Sequence, residues 1–507
     1  LGNHLYDALM RATRSEAPAL ETASRRYSFR DLDTETARMA GALAGLGIAP
    51  GDRVAVQVEK SAANLILYLA TIRAGGIYLP LNTAYTLSEL AYFVGDAEPR
   101  LIVCDPAAVK EARGIAGAAR VETLDAAGDG SLADLARAAD PGFGTVPRAA
   151  EDLAAICYTS GTTGRSKGAM LTHRALESNA RTLADVWRFT PDDVLIHALP
   201  VYHVHGLFVA TNVTLMAGSS LILQPRFDAD AVIAAMGRAT VLMGIPTFYT
   251  RLLADPRLTR EAAGGMRLFV SGSAPLLEAT HRAFEARTGH TILERYGMTE
   301  TGMNASNPYD GPRRAGTVGF ALPGVALRIA DPATGAPLQA GEVGGIEVRG
   351  PNVCAGYWRN PEKTAEAFRP DGYFITGDLG VVDAAGYFAI VGRDKDLVIT
   401  GGLNVYPKEV EAEIDAMAGV VESAVVGLPH ADFGEAVTAV VVTEADADIS
   451  ETAVLDHLAG RLARFKQPKR ILFVRELPRN AMGKVQKARL RTDLHDLYAA
   501  GASGTPA

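Results

Sequence analysis

Over residues 27–146 the sequence switches repeatedly between helix-like and strand-like periodicity. YSFRDLDTETARMAGALAGLG predicts a helix with a glycine stop, DRVAVQV a strand, NLILYLATIRAGG a buried helix closed by paired glycines, and RLIVC another strand. Strands separated by helices pair through crossovers rather than tight hairpins. This order therefore confines the region to βαβ units and helix-flanked parallel sheets. With 507 residues, the chain is expected to hold more than one domain.

The alternation continues over residues 190–300. VLIHALP, SSLILQ, ATVLMGIP and MRLFVSGSAP read as strands, each running into Pro, Gly or Ser. Ligands of open α/β sheets bind beyond the carboxyl ends of the strands, so these loops are the candidate site. Beyond about residue 318, VALRIAD, GGIEVRG and YFAIVG predict a small β subdomain. Composition shifts again near Gly392. A helix (PKEVEAEIDAM), two strands (VESAVVGLP, AVTAVVVTE), a helix (ETAVLDHLAGRLA) and a strand (RILFVREL) then form an α+β unit of about 110 residues. The expected class is α/β: a large N-terminal domain of parallel-rich sheets flanked by helices, with a small β subdomain, then a small α+β C-terminal domain. The opening LGNHLYDALMRATRSEAP reads as an amphipathic helix rather than a signal peptide, and the closing GASGTPA as a disordered tail.

Bulk properties exclude several functions. A net charge of −8 argues against nucleic acid as the main partner. No apolar run reaches about 18 residues, so no membrane-spanning helix is expected. Cys104, Cys157 and Cys354 are widely spaced and match neither a metal-ligand pattern nor a disulfide framework. They point to a reducing, cytoplasmic compartment. Residues 461–490 carry ten Lys/Arg and one acid, Glu476. That stretch is either a solvated basic face or a surface for anionic phosphates.

Chemistry concentrates in residues 158–168, YTSGTTGRSKG, directly after the apolar run LAAIC. Five Ser/Thr hydroxyls, three glycines and Lys167 share eleven residues. Glycines let backbone N–H groups close around an anion, hydroxyls add donors, and lysine adds a point charge suited to phosphate. The pattern is not a Walker A loop, because Ser166 precedes Lys167 and Gly168 follows it. On composition alone a plain surface loop remains open.

Four further clusters carry polar chemistry. ERYGMTET (294–301) offers a stacking aromatic after a Tyr-Gly turn and a carboxylate for Mg²⁺, or alternatively a helix N-cap with Glu in its first turn. YFITGD (373–378) ends in Asp378, suited to ribose hydroxyls or to a plain turn. GRDKD (392–396) brings Arg393 to where the two domains are expected to join. PRNAMGK (478–484) places Lys484 in a turn-rich stretch, where a lone lysine is ordinarily solvent-exposed.

Together TSGTTGRSKG, YGMTET, YFITGD, GRDKDLVITGG, NVYPKEVE and PRNAMGK resemble, in order and spacing, the adenylate-forming superfamily of acyl-CoA synthetases, luciferases and peptide-synthetase adenylation domains. The resemblance implies two half-reactions: ATP and a carboxylate give acyl-adenylate and pyrophosphate, then the CoA thiol displaces AMP. It implies an N-terminal adenylation domain over residues 1–392, a hinge at 393–396 and a mobile C-terminal domain over 397–507. Thr159, Ser160, Gly161, Thr162, Thr163, Gly164 and Lys167 would cradle pyrophosphate. Gly272, Ser273 and Ala274 would line adenine, Tyr296 would stack on it, and Gly297 and Met298 would complete the ATP site. Thr299 would hold the α-phosphate, Glu300 Mg²⁺, and Asp378 the ribose, helped by Arg393. Lys484 would bridge carboxylate and α-phosphate. Asp394 and Lys395 fall at the hinge, with Lys395 the pivot. Gly401 and Gly402 would line the pantetheine tunnel of CoA, where a Cβ would crowd the thiol. Lys484 is also a plausible target of a lysine acyltransferase and deacylase, since acylation removes its charge.

The acid is read from PVYHVHGLF (200–208), IPTFYTRLL (245–253) and MNASNPYDG (303–311), which resemble the malonyl-CoA synthetase branch. A dicarboxylate needs a cation for its second carboxylate, and Arg binds carboxylate bidentately. Arg251 is the expected cation, with Ser271 and His205 as helpers. Met298 and Met303 would form an adaptable wall that tolerates methylmalonate as a slower substrate. The alternatives are a ligase for another short-chain acid and a non-catalytic nucleotide-binding relic of the same fold.

Overall fold

A computed structural model describes residues 2–11, 15–159, 166–480 and 483–498. The chain divides into two compact units, residues 1–327 with 348–374, and residues 328–347 with 375–507.

The larger unit is built on two sheets. One has six strands in the order Arg120–Thr123, Leu101–Cys104, Arg53–Gln57, Ile77–Pro80, Leu153–Thr159 and Lys167–Thr172. The first five are parallel, and the last runs antiparallel to its neighbour. The connecting helices follow from local chemistry. Ser28 and Asp31 form a capping box that starts Phe29–Gly45. Ser61 caps Ala62–Arg73, which is buried almost all round, as a helix between packed layers must be.

The second sheet has nine strands in the order Phe320–Ala321, Gly302–Ser306, Leu293–Met298, Leu268–Ser271, Val241–Gly244, Val194–His197, Ser220–Leu223, Pro18–Glu21 and Arg26–Ser28. Its inner strands are parallel, and both edges turn antiparallel. Val241–Gly244 and Leu268–Ser271 lie in register, with Gly244 opposite Ser271. The loops that follow therefore leave from the same sheet edge, where the candidate site was expected.

The second unit holds most of a four-stranded sheet (Ala326–Ala330, Gly344–Arg349, Phe374–Val382, Phe388–Arg393) and a five-stranded sheet. The long pair Val420–His430 and Gly434–Thr443 forms the centre of the latter. Val425, Val437, Ala439 and Val441 pack beneath helices Pro407–Asp415 and Glu451–Ala459 through Val410, Ile414, Val454 and Leu458. Each such buried aliphatic side chain contributes about 1.5–3 kcal/mol.

Three local readings differ. Residues 294–298 are neither a turn nor a helix start; they belong to strand Leu293–Met298, which hairpins into Gly302–Ser306. Asp378 lies within strand Phe374–Val382 and not in a plain turn, and the left-handed Gly377 (φ +72°) accommodates the local bend. The N-terminal helix is only His4–Met10, and the chain then enters strand Pro18–Glu21, which pairs with Ser220–Leu223 on one side and Arg26–Ser28 on the other. No helix among the described residues is long and apolar enough to cross a membrane.

Candidate active site

The hairpin between Leu293–Met298 and Gly302–Ser306 carries Thr299 and Glu300 at its turn. Glycine is obligatory at 297, since a Cβ there would fall 2.1 Å from the Gly302 carbonyl oxygen. Asn179 clamps the returning strand: its Oδ1 accepts from Met303 N (3.0 Å) and its Nδ2 donates to Met303 O (2.9 Å). Glu300 is buried, and its Oε1 accepts from Thr159 Oγ1 at 3.1 Å and from the Tyr357 hydroxyl at 3.2 Å. Burial pushes its carboxyl above the usual range, against these hydrogen bonds and the Lys167 charge.

Lys167 opens its strand directly opposite Thr159. Its Nζ lies 4.3 Å from the centroid of the Tyr357 ring. Thr159, Lys167 and Glu300 therefore converge. Ser160, Gly161, Thr162, Thr163 and Gly164 lie outside the described residues. Among the described residues there is no group of three or more His, Cys, Asp or Glu able to hold a metal. A single buried carboxylate fits Mg²⁺ shared with nucleotide phosphates, which needs only one or two protein carboxylates, and does not fit an all-protein cage.

A second constellation surrounds the end of strand Leu268–Ser271. Ser271 is fully buried, and its Oγ has no hydrogen-bond partner among the described residues. Gly272, Ser273 and Ala274 follow, with Ser273 in the left-handed region (φ +72°) and its Oγ 3.1 Å from His205 Nδ1. The residue the sequence reading missed is Arg295, 3% exposed within strand Leu293–Met298. Its guanidinium lies against Gly272, where a Cβ would come within 2.5 Å of Cζ. Arg295 Nε and Nη2 and His205 Nε2 are likewise buried without partners among the described residues. Burial pushes the Arg295 guanidinium down to about 9, so it remains charged at neutral pH. Burial, reinforced by the Arg295 charge, holds His203 at about 4 and His205 well below the usual histidine value. Both histidines are therefore neutral hydrogen-bonding groups, and Arg295 is the buried cation of the cluster. The segment LERYGM is too polar to read as a buried strand, so the sequence carried no local signal that Arg295 is buried.

Arg251, by contrast, is exposed near the end of helix Pro246–Ala254. Tyr296 and Met303 are buried and Met298 is half-buried. Thr299 lines a small cavity with Val204, Phe208, Asn179 and Gly302, next to the π-helical segment His205–Thr211.

In the second unit, Asp378 and Arg393 are direct cross-strand partners, joined by an ion pair of 2.9 Å. Lys484 is partly buried in a turn where Asn480 Oδ1 accepts its backbone N–H. Burial lowers its ammonium to about 8. The Arg393 and Lys395 charges add to that lowering, while Asp378 and Asp396 oppose it. Asp394 and Lys395 form a 3₁₀ turn with Asp396, which is tied by Arg491 at 2.9 Å. Gly401 and Gly402 are the two loop residues of the hairpin joining Val398–Thr400 to Leu403–Val405, with φ of +56° and +79°. Positive φ at both positions favours glycine there whatever passes over them.

Residues 9–358 match the AMP-binding enzyme family, and residues 409–484 match the AMP-binding enzyme C-terminal domain. The chain is 36% identical over 487 residues to a malonate–CoA ligase of Arabidopsis thaliana, covering 89% of this chain and 79% of that protein. It is 37% identical over 470 residues to a sulfoacetate–CoA ligase of Cupriavidus necator, covering 91% and 92% respectively. The crystal structure of ATP-bound MatB from Rhodopseudomonas palustris is 61% identical, with a TM-score of 0.97 over 98% of this chain and 100% of that one. The chain belongs to the AMP-binding enzyme family.

Proposed function

We propose that the chain is an ATP-dependent acid–thiol ligase that forms malonyl-CoA from malonate and CoA. The observation that carries the choice of acid is Arg295, a buried guanidinium with Nε and Nη2 unpartnered beside Ser271 and His205. An unpaired buried charge is costly, and an anionic group that binds it bidentately removes that cost. An acid with one carboxylate spends that group on the phosphate and leaves Arg295 unmet. Two of the relatives support a dianion, since malonate and sulfoacetate each carry a second anionic group. Arg251 is the second candidate cation, and its exposure makes it the weaker one.

In the first half-reaction a malonate oxygen attacks the α-phosphorus of ATP, forming the acyl-adenylate as the bond to pyrophosphate breaks. Thr159, Lys167 and residues 160–164 hold the departing pyrophosphate, and Thr299 holds the α-phosphate. Glu300 is the residue that would hold Mg²⁺. When bound, Mg²⁺ neutralises phosphate charge. Lys484 supplies a cation to the charge that develops as two anions are joined, which is where a donor accelerates most. Gly272, Ser273, Ala274, Tyr296, Gly297 and Met298 form the adenine side of the site, and Asp378 and Arg393 take the ribose. In the second half-reaction the CoA sulfur attacks the carbonyl, AMP leaves with the C–O bonding pair, and the thiol proton goes to solvent. Residues 393–396 serve as hinge, with Lys395 the pivot, and 397–507 as the moving domain. Gly401 and Gly402 lie along the thiol's path. Acylation of Lys484 would silence the first step, and a deacylase would restore it.

The test is CoA-thioester formation with ATP and Mg²⁺ against malonate, methylmalonate, sulfoacetate, succinate, acetate and octanoate. Malonate is expected to lead, with methylmalonate slower. Preference for acetate or octanoate would overturn the dianion reading and leave the ligase. Silence with every acid, together with no ATP–pyrophosphate exchange, would overturn the ligase reading.

A further inference from the structure

Tyr357 stands outside every motif considered above, yet it touches two of the residues that converge on the phosphates. Its hydroxyl donates to Glu300 Oε1 at 3.2 Å, and its ring centroid lies 4.3 Å from Lys167 Nζ. The backbone fixes this arrangement. Residues 355–358 run along the free edge of strand Lys167–Thr172: Ala355 N donates to Met170 O (2.9 Å), Met170 N to Gly356 O (2.9 Å), and Trp358 N to Gly168 O (2.7 Å). Ala169 and Tyr357 form an antiparallel bridge. Trp358 is anchored in turn by its indole N–H to Asp96 O at 3.2 Å. Tyr357 is thus held on both flanks, and it is buried.

We propose that Tyr357 is a positioning residue that preassembles the phosphate cation and the metal carboxylate. This rests on the reading of Lys167 and Glu300 given above. An ammonium carries three donor hydrogens. The aromatic face occupies one side of it, as a cation–π contact, and leaves the other side for phosphate oxygens. The long lysine chain is ordered before ATP arrives, so the ordering is not charged against binding. The hydroxyl bond to Oε1 fixes the carboxylate plane in the same way. Because Thr159 donates to the same oxygen, one carboxylate orientation is held from two sides.

Two variants separate the ring from the hydroxyl. Tyr357→Phe keeps the ring and removes the donor to Glu300. Tyr357→Leu removes both. Binding of ATP to the full chain is measured by calorimetry across a Mg²⁺ titration, with thermal unfolding recorded alongside. For Tyr357→Phe the expected result is a several-fold rise in the Mg²⁺ concentration that half-saturates ATP binding, with metal-free ATP binding unchanged. For Tyr357→Leu, metal-free ATP binding weakens several-fold as well, and Lys167→Ala in that background adds less than it does in the wild type. Unchanged Mg²⁺ dependence in Tyr357→Phe, or ATP binding as tight as wild type in Tyr357→Leu, overturns the proposal. So does an equal loss for ATP, malonate and CoA that tracks a fall in melting temperature, which is what a merely structural residue would give. Absence of ATP binding by the wild-type chain would instead remove the nucleotide reading, and this proposal with it.

Discussion

Arg393 Nε lies 2.9 Å from Asp378 Oδ1, and the two residues face each other across adjacent antiparallel strands. Asp378 is thereby oriented by the fold itself, and its charge is balanced by a partner only 30% exposed. Asp378→Asn keeps the shape and removes the anion. A hydrogen bond to a charged group is worth about 1.5–3 kcal/mol, so the KM for ATP should rise roughly 10- to 100-fold while that for malonate holds. The wild type should discriminate against 2′-deoxy-ATP, and the variant should not. Equal discrimination by both proteins would remove Asp378 from the ribose.

Lys484 has an ammonium lowered to about 8, chiefly by burial. It is charged below that pH and neutral above it. If the charged form serves adenylation, kcat/KM for ATP–pyrophosphate exchange falls as pH rises through about 8. In the complex, bound phosphate favours the ammonium, so the kcat limb should lie at higher pH. Lys484→Arg should abolish the alkaline limb, because guanidinium does not titrate in this range. A limb that persists in the arginine variant belongs to another group.

Lys484→Ala should lower adenylation by about 10²–10³-fold, the usual cost of one lost donor to transition-state charge. Thioester formation from supplied malonyl-adenylate should be largely spared. Equal loss in both half-reactions would show that the lysine is not specific to the first.

The two arginines are separable by kinetics. Arg295→Met removes the buried cation while keeping bulk, and should cost malonate about 10²-fold in kcat/KM, with acetate unaffected or improved. Arg251→Leu should change the malonate KM far less, because Arg251 is exposed. A large malonate effect from Arg251 alone would return the role to it.

Gly402→Ala tests whether the paired glycines serve more than their turn. No atom lies within 4 Å of an added Cβ, so the cost is the left-handed backbone alone, about 1 kcal/mol. Thermal unfolding reports that cost. A loss of thioester formation well beyond it, with adenylation intact, would mark the path of the thiol.

The layered fold was legible because its strands end at Pro, Gly or Ser and its helices stop at glycine, so type and order could be read locally. The strand Leu293–Met298 was not, since Glu, Arg, Tyr and Gly interrupt its apolar pattern; it is a strand because Leu268–Ser271 pairs with it on one side and Gly302–Ser306 on the other. Arg295 escaped for the same reason: periodicity cannot tell a buried guanidinium from a surface one. Thr159, Lys167 and Glu300 could be grouped from the order of their motifs. Tyr357 could not, because it is placed by an isolated bridge to Ala169, far upstream in the chain.

The segment around Tyr357 also sets an order of assembly. Trp358 N closes onto Gly168 O roughly 190 residues upstream, so the strand Lys167–Thr172 has a bare flank until the later segment has been synthesised and docked. An emerging polypeptide can complete most of its first parallel sheet early, yet it cannot hold Lys167 against Tyr357 until then. The last backbone partners of Lys167–Thr172 are thus supplied only when most of the larger unit has been made.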